Sequence, residues 1–252
     1  MDIKVIDTTD STNNYLKEHA GELPAPLLLM ARYQTGGRGQ RGNRWHSDRD
    51  ANLLCSLLWR PGEIRPAQQF SLSEAVALAV SRTLSDLCGV ECKVKWPNDI
   101  YAGDKKISGI LIENVIAGTH ILQTVAGMGI NLNQTCFDAC LPNPTSVAIE
   151  TGRETDIPRF AEYLCTRLEE HLALAETPGG RQMLHSMFKQ DLWRGTGAHL
   201  FRDTATGEVF KASIADIEPE GFMVLQPEND NAGAALPRRT YAFKEVEFIL
   251  KD

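Results

Sequence analysis

The sequence contains no run of 18 apolar residues, and its opening stretch, Met1-Asp2-Ile3-Lys4-Val5-Ile6-Asp7, carries no apolar signal core. Neither a membrane span nor export is expected, so the chain is read as cytoplasmic and Asn133-Gln134-Thr135 as an idle glycosylation sequon. Positive charge is not in excess. The formal net charge is −7, which excludes a broad nucleic-acid-binding face while leaving room for a local basic loop. The signatures G-x-x-x-x-G-K-[ST], H-E-x-x-H and G-x-S-x-G are all missing, and with them three common routes to catalysis. Of six histidines only His46 stands beside a candidate site, so a nucleophile–base triad has poor support. Six cysteines are present, Cys55, Cys88, Cys92, Cys136, Cys140 and Cys165. Cys88/Cys92 and Cys136/Cys140 are spaced C-x3-C, looser than structural zinc knuckles, and Pro142 and Pro144 follow the second pair; free thiols are expected instead.

What the chain does have is a loop with an unusual concentration of glycine and arginine. Gln34-Thr35-Gly36-Gly37-Arg38-Gly39-Gln40-Arg41-Gly42-Asn43-Arg44-Trp45 lies between two strand-like apolar runs. Glycine lets backbone N–H groups approach a ligand, and arginine adds planar cationic forks suited to phosphate or carboxylate oxygens. Such a loop suits folding over a small anion, and in isolation it reads equally as a solvated, glycine-rich hairpin loop. Gly37–Gly42 also spells G-x-G-x-x-G, but no helical period follows, and where a ribose-binding acid is required the chain reads Leu57-Leu58-Trp59-Arg60. The dinucleotide-binding reading fails on context.

The 252 residues, 42% hydrophobic and 23% charged, suit one large domain and a small one. Strands are expected at Ile3–Asp7, Leu27–Ala31, Asn52–Trp59, Lys106–Glu113 and His120–Asn131. A helix capped by Asp10 or Ser11 runs from Thr12 to Ala20 with Gly21 as its stop, and a longer one covers Ala67–Cys88, ended by Gly89. Pro158 opens a helix through Glu176, and Arg181–Trp193 reads as another. After Gly195-Thr196-Gly197 the texture changes to short strands, Glu208–Ile217, Gly221–Gln226 and Thr240–Leu250, which argues for a barrel-like unit. The expected division is 1–194 and 195–252.

Three further clusters carry functional groups. Lys95-Trp96-Pro97-Asn98-Asp99 places an amide and a carboxylate at a stiffened turn, which taken alone reads first as an Asx-type hairpin closure. Lys105-Lys106 precedes the buried-looking Ile107-Ser108-Gly109-Ile110-Leu111; either one ammonium enters a pocket while its neighbour faces water, or the two are a solvated pair beside a turn. Ser11-Thr12-Asn13 marks a helix N-terminus able to bind a polar head group or simply to cap the helix.

In this order, and with Gly127-Met128-Gly129-Ile130-Asn131, these segments closely resemble the biotin protein ligases along the whole chain. The resemblance implies an α+β fold with a mixed β-sheet and helices, related to class II aminoacyl-tRNA synthetases, plus a small C-terminal SH3-like β-barrel. It implies that biotin's carboxylate attacks the α-phosphate of Mg-ATP to give biotinyl-adenylate and pyrophosphate. A lysine of a biotin carboxyl carrier domain then takes the biotinyl group and releases AMP. No protein nucleophile is needed; positioning and charge neutralisation are.

By that resemblance Lys106 and Arg38 are the expected catalytic groups. Ser11, Thr12, Asn13, Gln34, Arg38, Gly39, Gln40, Trp45, Lys106 and Gly109 line the biotin site. Arg41, Arg44, Asn98, Gly129 and Asn131 serve the nucleotide, and Asp99 is the carboxylate nearest magnesium. Many members carry arginine where this chain has Gln40, so a weaker grip on the adenylate is expected. The catalytic-type sequence begins at once, without the helix-turn-helix of repressor members, so no DNA binding is expected; monomer and homodimer both stay open. The competing readings are a lipoate–protein ligase and a non-catalytic protein that sequesters biotin or a nucleotide.

Overall fold

The computed structural model describes residues 1–229 and 233–250, with the side chain of Arg41 outside the described set. The chain runs β1 (Asp2–Thr9), α1 (Thr12–His19), β2 (Leu27–Gln34), β3 (Leu53–Trp59), α2 (Phe70–Cys88), β4 (Cys92–Lys95), β5 (Asp99–Ala102), β6 (Lys105–Ala117), β7 (His120–Ile130), α3 (Val147–Thr151), α4 (Ile157–Ala175) and α5 (Pro178–Gln190). Then come β8 (His199–Asp203), β9 (Val209–Ile217), β10 (Met223–Pro227), β11 (Arg239–Tyr241) and β12 (Val246–Phe248).

Seven strands form one mixed sheet in the order β1-β2-β3-β7-β6-β5-β4. Only β1 and β2 pair in parallel; the remaining neighbours are antiparallel. The sheet has helices on both sides, which explains why β2 and β3 read as continuous apolar runs rather than alternating ones. On one face Leu28, Leu57, Ala126 and Met128 enter the main core with Val76, Val80 and Phe160 of α2 and α4. On the other, Leu29, Leu58 and Val125 enclose Leu16 of α1. No helix of the described residues is long and apolar enough to cross a membrane.

Gly89 closes α2 at φ 70°, as its position predicts. Pro178 sits in the first turn of α5, so that helix starts three residues before the expected Arg181, with Thr177 accepting from Gly180 N. Gly21 does not adopt a left-handed stop, since α1 ends through Ala20 in right-handed geometry. The five C-terminal strands form a second, antiparallel sheet in the order β11-β10-β9-β8-β12. The Thr240–Leu250 stretch is not one strand: a turn at Ala242–Glu245 separates β11 from β12. Neither β8 nor the five-residue α3 has a clear periodicity in the sequence.

Candidate active site

Period-two alternation along the sheet decides what faces the cavity beside α1. Val125 lies on that face, and Gly127 and Gly129 follow it at two-residue steps; Leu58 does so on β3, and Ser56 with it. A polar floor results. Gln34 Oε1 accepts from Thr12 N at 2.7 Å and from Thr12 Oγ1 at 3.0 Å. The Thr12 and Ser56 hydroxyls are 2.6 Å apart, and Ser56 donates to Asn13 Oδ1 at 2.6 Å. All three of Thr12, Asn13 and Ser56 are buried. A Cβ on Gly127 would stand 2.2 Å from Asn13 Oδ1, so glycine there is what admits the asparagine. Ser11 occupies the helix cap position without a side-chain cap bond; its N–H donates to Asp10 Oδ1 at 2.6 Å.

Lys106 and Gly109 are three residues apart, which in a regular strand places them on opposite faces. The register removes the conflict. Ile100 pairs with Ser108 and Tyr101 with Lys106, leaving Ile107 as the surplus residue of a β-bulge. Ile107 and Ile110 both enter the main core, while a Cβ on Gly109 would lie 3.2 Å from Lys106 Nζ. Lys106 Nζ stands 2.6 Å from Asp99 Oδ1. Lys105 points outward to Glu150 at 3.2 Å, as expected of a solvated neighbour.

The glycine-arginine loop closes on itself: Gly39 N donates to Asn43 O at 2.7 Å and Trp45 N to Gly37 O at 3.0 Å. Gln40–Gly42 form only a short 3-10 turn, so no α-helix starts after the glycines. Trp45 lies across the paired Gly109 and Gly129. A Cβ on Gly129 would approach its ring to 2.3 Å and one on Gly109 to 3.0 Å. Trp45 Nε1 is buried without a hydrogen-bond partner, as are Asn131 Oδ1 and Ser108 Oγ. Orphaned polar atoms of this kind call for an explanation, and a ligand is one.

Arg38 forks onto Glu113 of β6 at 3.1 and 3.2 Å and donates to Asn14 Oδ1 at 2.8 Å. Glu113 also accepts from Asn13 Nδ2 and Lys17 Nζ, each at 2.9 Å. Burial pushes its carboxyl up, but these three donors outweigh burial and hold it below the usual range. The arginine expected to hold a ligand is thus engaged by the protein itself. Asn98 donates to Ile110 O and accepts from Ile110 N at 3.1 Å. Lys95 lies over the rings of Tyr101 and Phe248 at 5.0 and 5.8 Å, and burial lowers its ammonium pKa.

One cavity therefore gathers Ser11, Thr12, Asn13, Gln34, Arg38, Gly39, Gln40, Arg44, Trp45, Asn98, Asp99, Lys106, Gly109 and Gly129. Asn131 lines a neighbouring cavity that shares Arg44, Trp45, Asp99 and Lys106 with the first; its Nδ2 donates to Thr145 O at 2.9 Å. Arg41 falls outside the described side chains. Ser56, Glu113, Phe243 and Lys244 were not anticipated. Ser56 is detectable as the one polar residue inside Leu53-Leu54-Cys55-Ser56-Leu57-Leu58; the last two come from the second sheet and have no local signal. The six cysteines are unpaired, and among the described residues no group of three or more His, Cys, Asp or Glu side chains is placed to hold a metal ion.

A family described as "Biotin/lipoate A/B protein ligase family" matches residues 5–131. The chain is 35% identical to "Bifunctional ligase/repressor BirA" of Escherichia coli over 90% of this chain and 70% of that one. It is 32% identical to "Biotin--[acetyl-CoA-carboxylase] ligase" of Paracoccus denitrificans over 68% of this chain and 73% of the relative. Its fold matches "Biotin protein ligase from Aquifex aeolicus in complex with biotin and ATP" with a TM-score of 0.79, covering 98% and 97% of the two chains at 22% identity.

Proposed function

The chain belongs to the biotin/lipoate A/B protein ligase family, and on that footing we propose that it activates biotin with ATP and transfers it to a lysine of a carboxylase's carrier domain. The observation that carries this reading is the junction of two unlike regions in one cavity. A neutral polar floor of Gln34, Thr12, Ser56 and Asn13 runs into the charged Lys106–Asp99 pair. The first suits an uncharged ring with hydrogen-bonding edges; the second suits two anions that must meet.

In the first step a carboxylate oxygen of biotin bonds to the α-phosphorus and the bond to pyrophosphate breaks. Lys106, set between both anions, offsets charge that grows on the phosphoryl oxygens. Asp99 is the carboxylate that would hold a magnesium ion arriving with ATP, and the ion would supply further positive charge to the phosphates. In the second step the carrier lysine's amine bonds to the biotinyl carbonyl carbon and AMP leaves. Trp45 and the loop around it cover the mixed anhydride against water meanwhile. Residues 1–194 form the catalytic domain in this reading and 195–252 the small barrel domain.

The test is transfer of labelled biotin to a purified carrier domain with ATP, alongside ATP–pyrophosphate exchange driven by biotin or by lipoate. Biotin-dependent exchange and label on the carrier are expected. Exchange with lipoate alone would make the chain a lipoate ligase, and biotin binding without exchange a sequestering protein.

A further inference from the structure

The second sheet delivers a cation to the cavity. Phe243 and Lys244, in the turn between β11 and β12, both line it. Phe243 stands edge-on to Trp96, with centroids 6.0 Å and planes 75° apart, so the turn is tied to the residue preceding Pro97-Asn98-Asp99. Trp96 Nε1 also donates to Gly221 O at 3.0 Å, a second tie to the same sheet.

Lys244 has a φ of 69°, a left-handed conformation that a residue with a Cβ holds only when its surroundings impose it. They do so here. Thr204 Oγ1 donates to Lys244 O at 2.9 Å, Thr204 N to Glu245 O at 2.9 Å, and Ala242 N to Glu245 Oε2 at 2.8 Å. The ammonium lies 5.8 Å from the Phe243 ring centroid and has no ion-pair partner among the described residues. Around it Lys106 stands beside Asp99, Arg38 forks onto Glu113 and Lys95 lies over the rings of Tyr101 and Phe248, while Arg44 lines the same cavity from the exposed side of the loop. Gln40, at the loop's tip, brings no charge.

We propose that Lys244 binds a phosphate group of the nucleotide, so that the small domain supplies a positive charge that the loop lacks at Gln40. The inference rests on the ligase reading above. It makes Lys244 a determinant of nucleotide affinity: its ammonium pairs with a phosphate oxygen, while biotin, held at the polar floor, does not touch it.

Three variants separate charge from backbone. Lys244→Gln removes the charge; Lys244→Gly removes it and relieves the left-handed strain; Lys244→Arg keeps it. With saturating biotin, KM for ATP in pyrophosphate exchange is expected to rise about tenfold in the first two variants and to return to within about twofold of wild type in the third. KM for biotin stays unchanged in all three. Unchanged KM for ATP in both the glutamine and glycine variants overturns the proposal. So does a rise confined to KM for the carrier domain, which would assign Lys244 to an acidic partner surface. Failure of the ligase reading is seen separately, as no biotin-dependent exchange by wild type.

Discussion

The ammonium of Lys106 and Oδ1 of Asp99 stand 2.6 Å apart, yet the two side chains keep 32% and 22% of their surface open. A pair so accessible to water adds about 0–1 kcal/mol to stability. Its position beside the cavity is therefore the better reason for its geometry. Lys106→Gln is expected to leave thermal unfolding nearly unchanged while lowering biotin-dependent pyrophosphate exchange about 100-fold or more. Calorimetry would still show biotin binding. If exchange survives, the catalytic lysine has to be reassigned.

Trp45 depends on two missing side chains. A methyl group on Gly129 would come within 2.3 Å of the indole, so Gly129→Ala must push Trp45 off the sheet. The expected result is altered tryptophan fluorescence, a stability loss of about 1–3 kcal/mol, and faster leakage of biotinyl-adenylate. Adding Trp45→Ala should restore most of the stability but not the retention. Additive losses of stability in the double variant would contradict the contact.

Gln40 sits at the start of the 3-10 turn and lines the main cavity. A cation there should strengthen the hold on the phosphoryl group, so Gln40→Arg is expected to slow escape of biotinyl-adenylate several-fold. Rapid filtration of single-turnover mixtures measures it. Equal release from both proteins would remove any role for this position.

Glu113 ties the loop to β6 and α1 through Arg38, Lys17 and Asn13. Its carboxyl titrates below the usual range in the folded protein. Folded protein thus releases this proton more readily than unfolded chain does, and the resulting stability is present above the unfolded value of about 4.3. It is lost as pH falls through the lower, folded value. Glu113→Gln should remove that part of the pH dependence, shrinking the stability gained between the acid limit and neutral pH, as read by urea unfolding at several pH values. An unchanged acid limb would show that the carboxylate is not held by its donors.

The residues that named the site in the sequence were those whose chemistry is local. Gly37–Arg38–Gly39 and Pro97-Asn98-Asp99 each sit in a short segment whose turn is set by its own residues, and Lys106 and Gly109 were marked by residue type alone. The long apolar runs of β2 and β3 and the period of α2 were readable for the same reason. Glu113 was not, because its importance comes from Lys17 and Arg38, 96 and 75 residues away in the chain. The bulge at Ile107 is equally silent until β5 pairs with β6. Phe243 and Lys244 needed a whole second sheet to be folded against Trp96 before they had any relation to the cavity. Arg38 shows the reverse: a side chain whose type was informative but whose partner in this structure is Glu113.

The tie between Trp96 and the Gly221 carbonyl, with Phe243 behind it, has a consequence during synthesis. A nascent polypeptide threads off the ribosome from its first residue, and the wall of the cavity is not finished until Lys244 has emerged. Until then a half-made chain has the polar floor and the glycine-arginine loop but an open side where Phe243 and Lys244 belong. Chimeras assembled from two parents face the same dependency, since a transplanted barrel would have to bring a turn that fits the host's tryptophan.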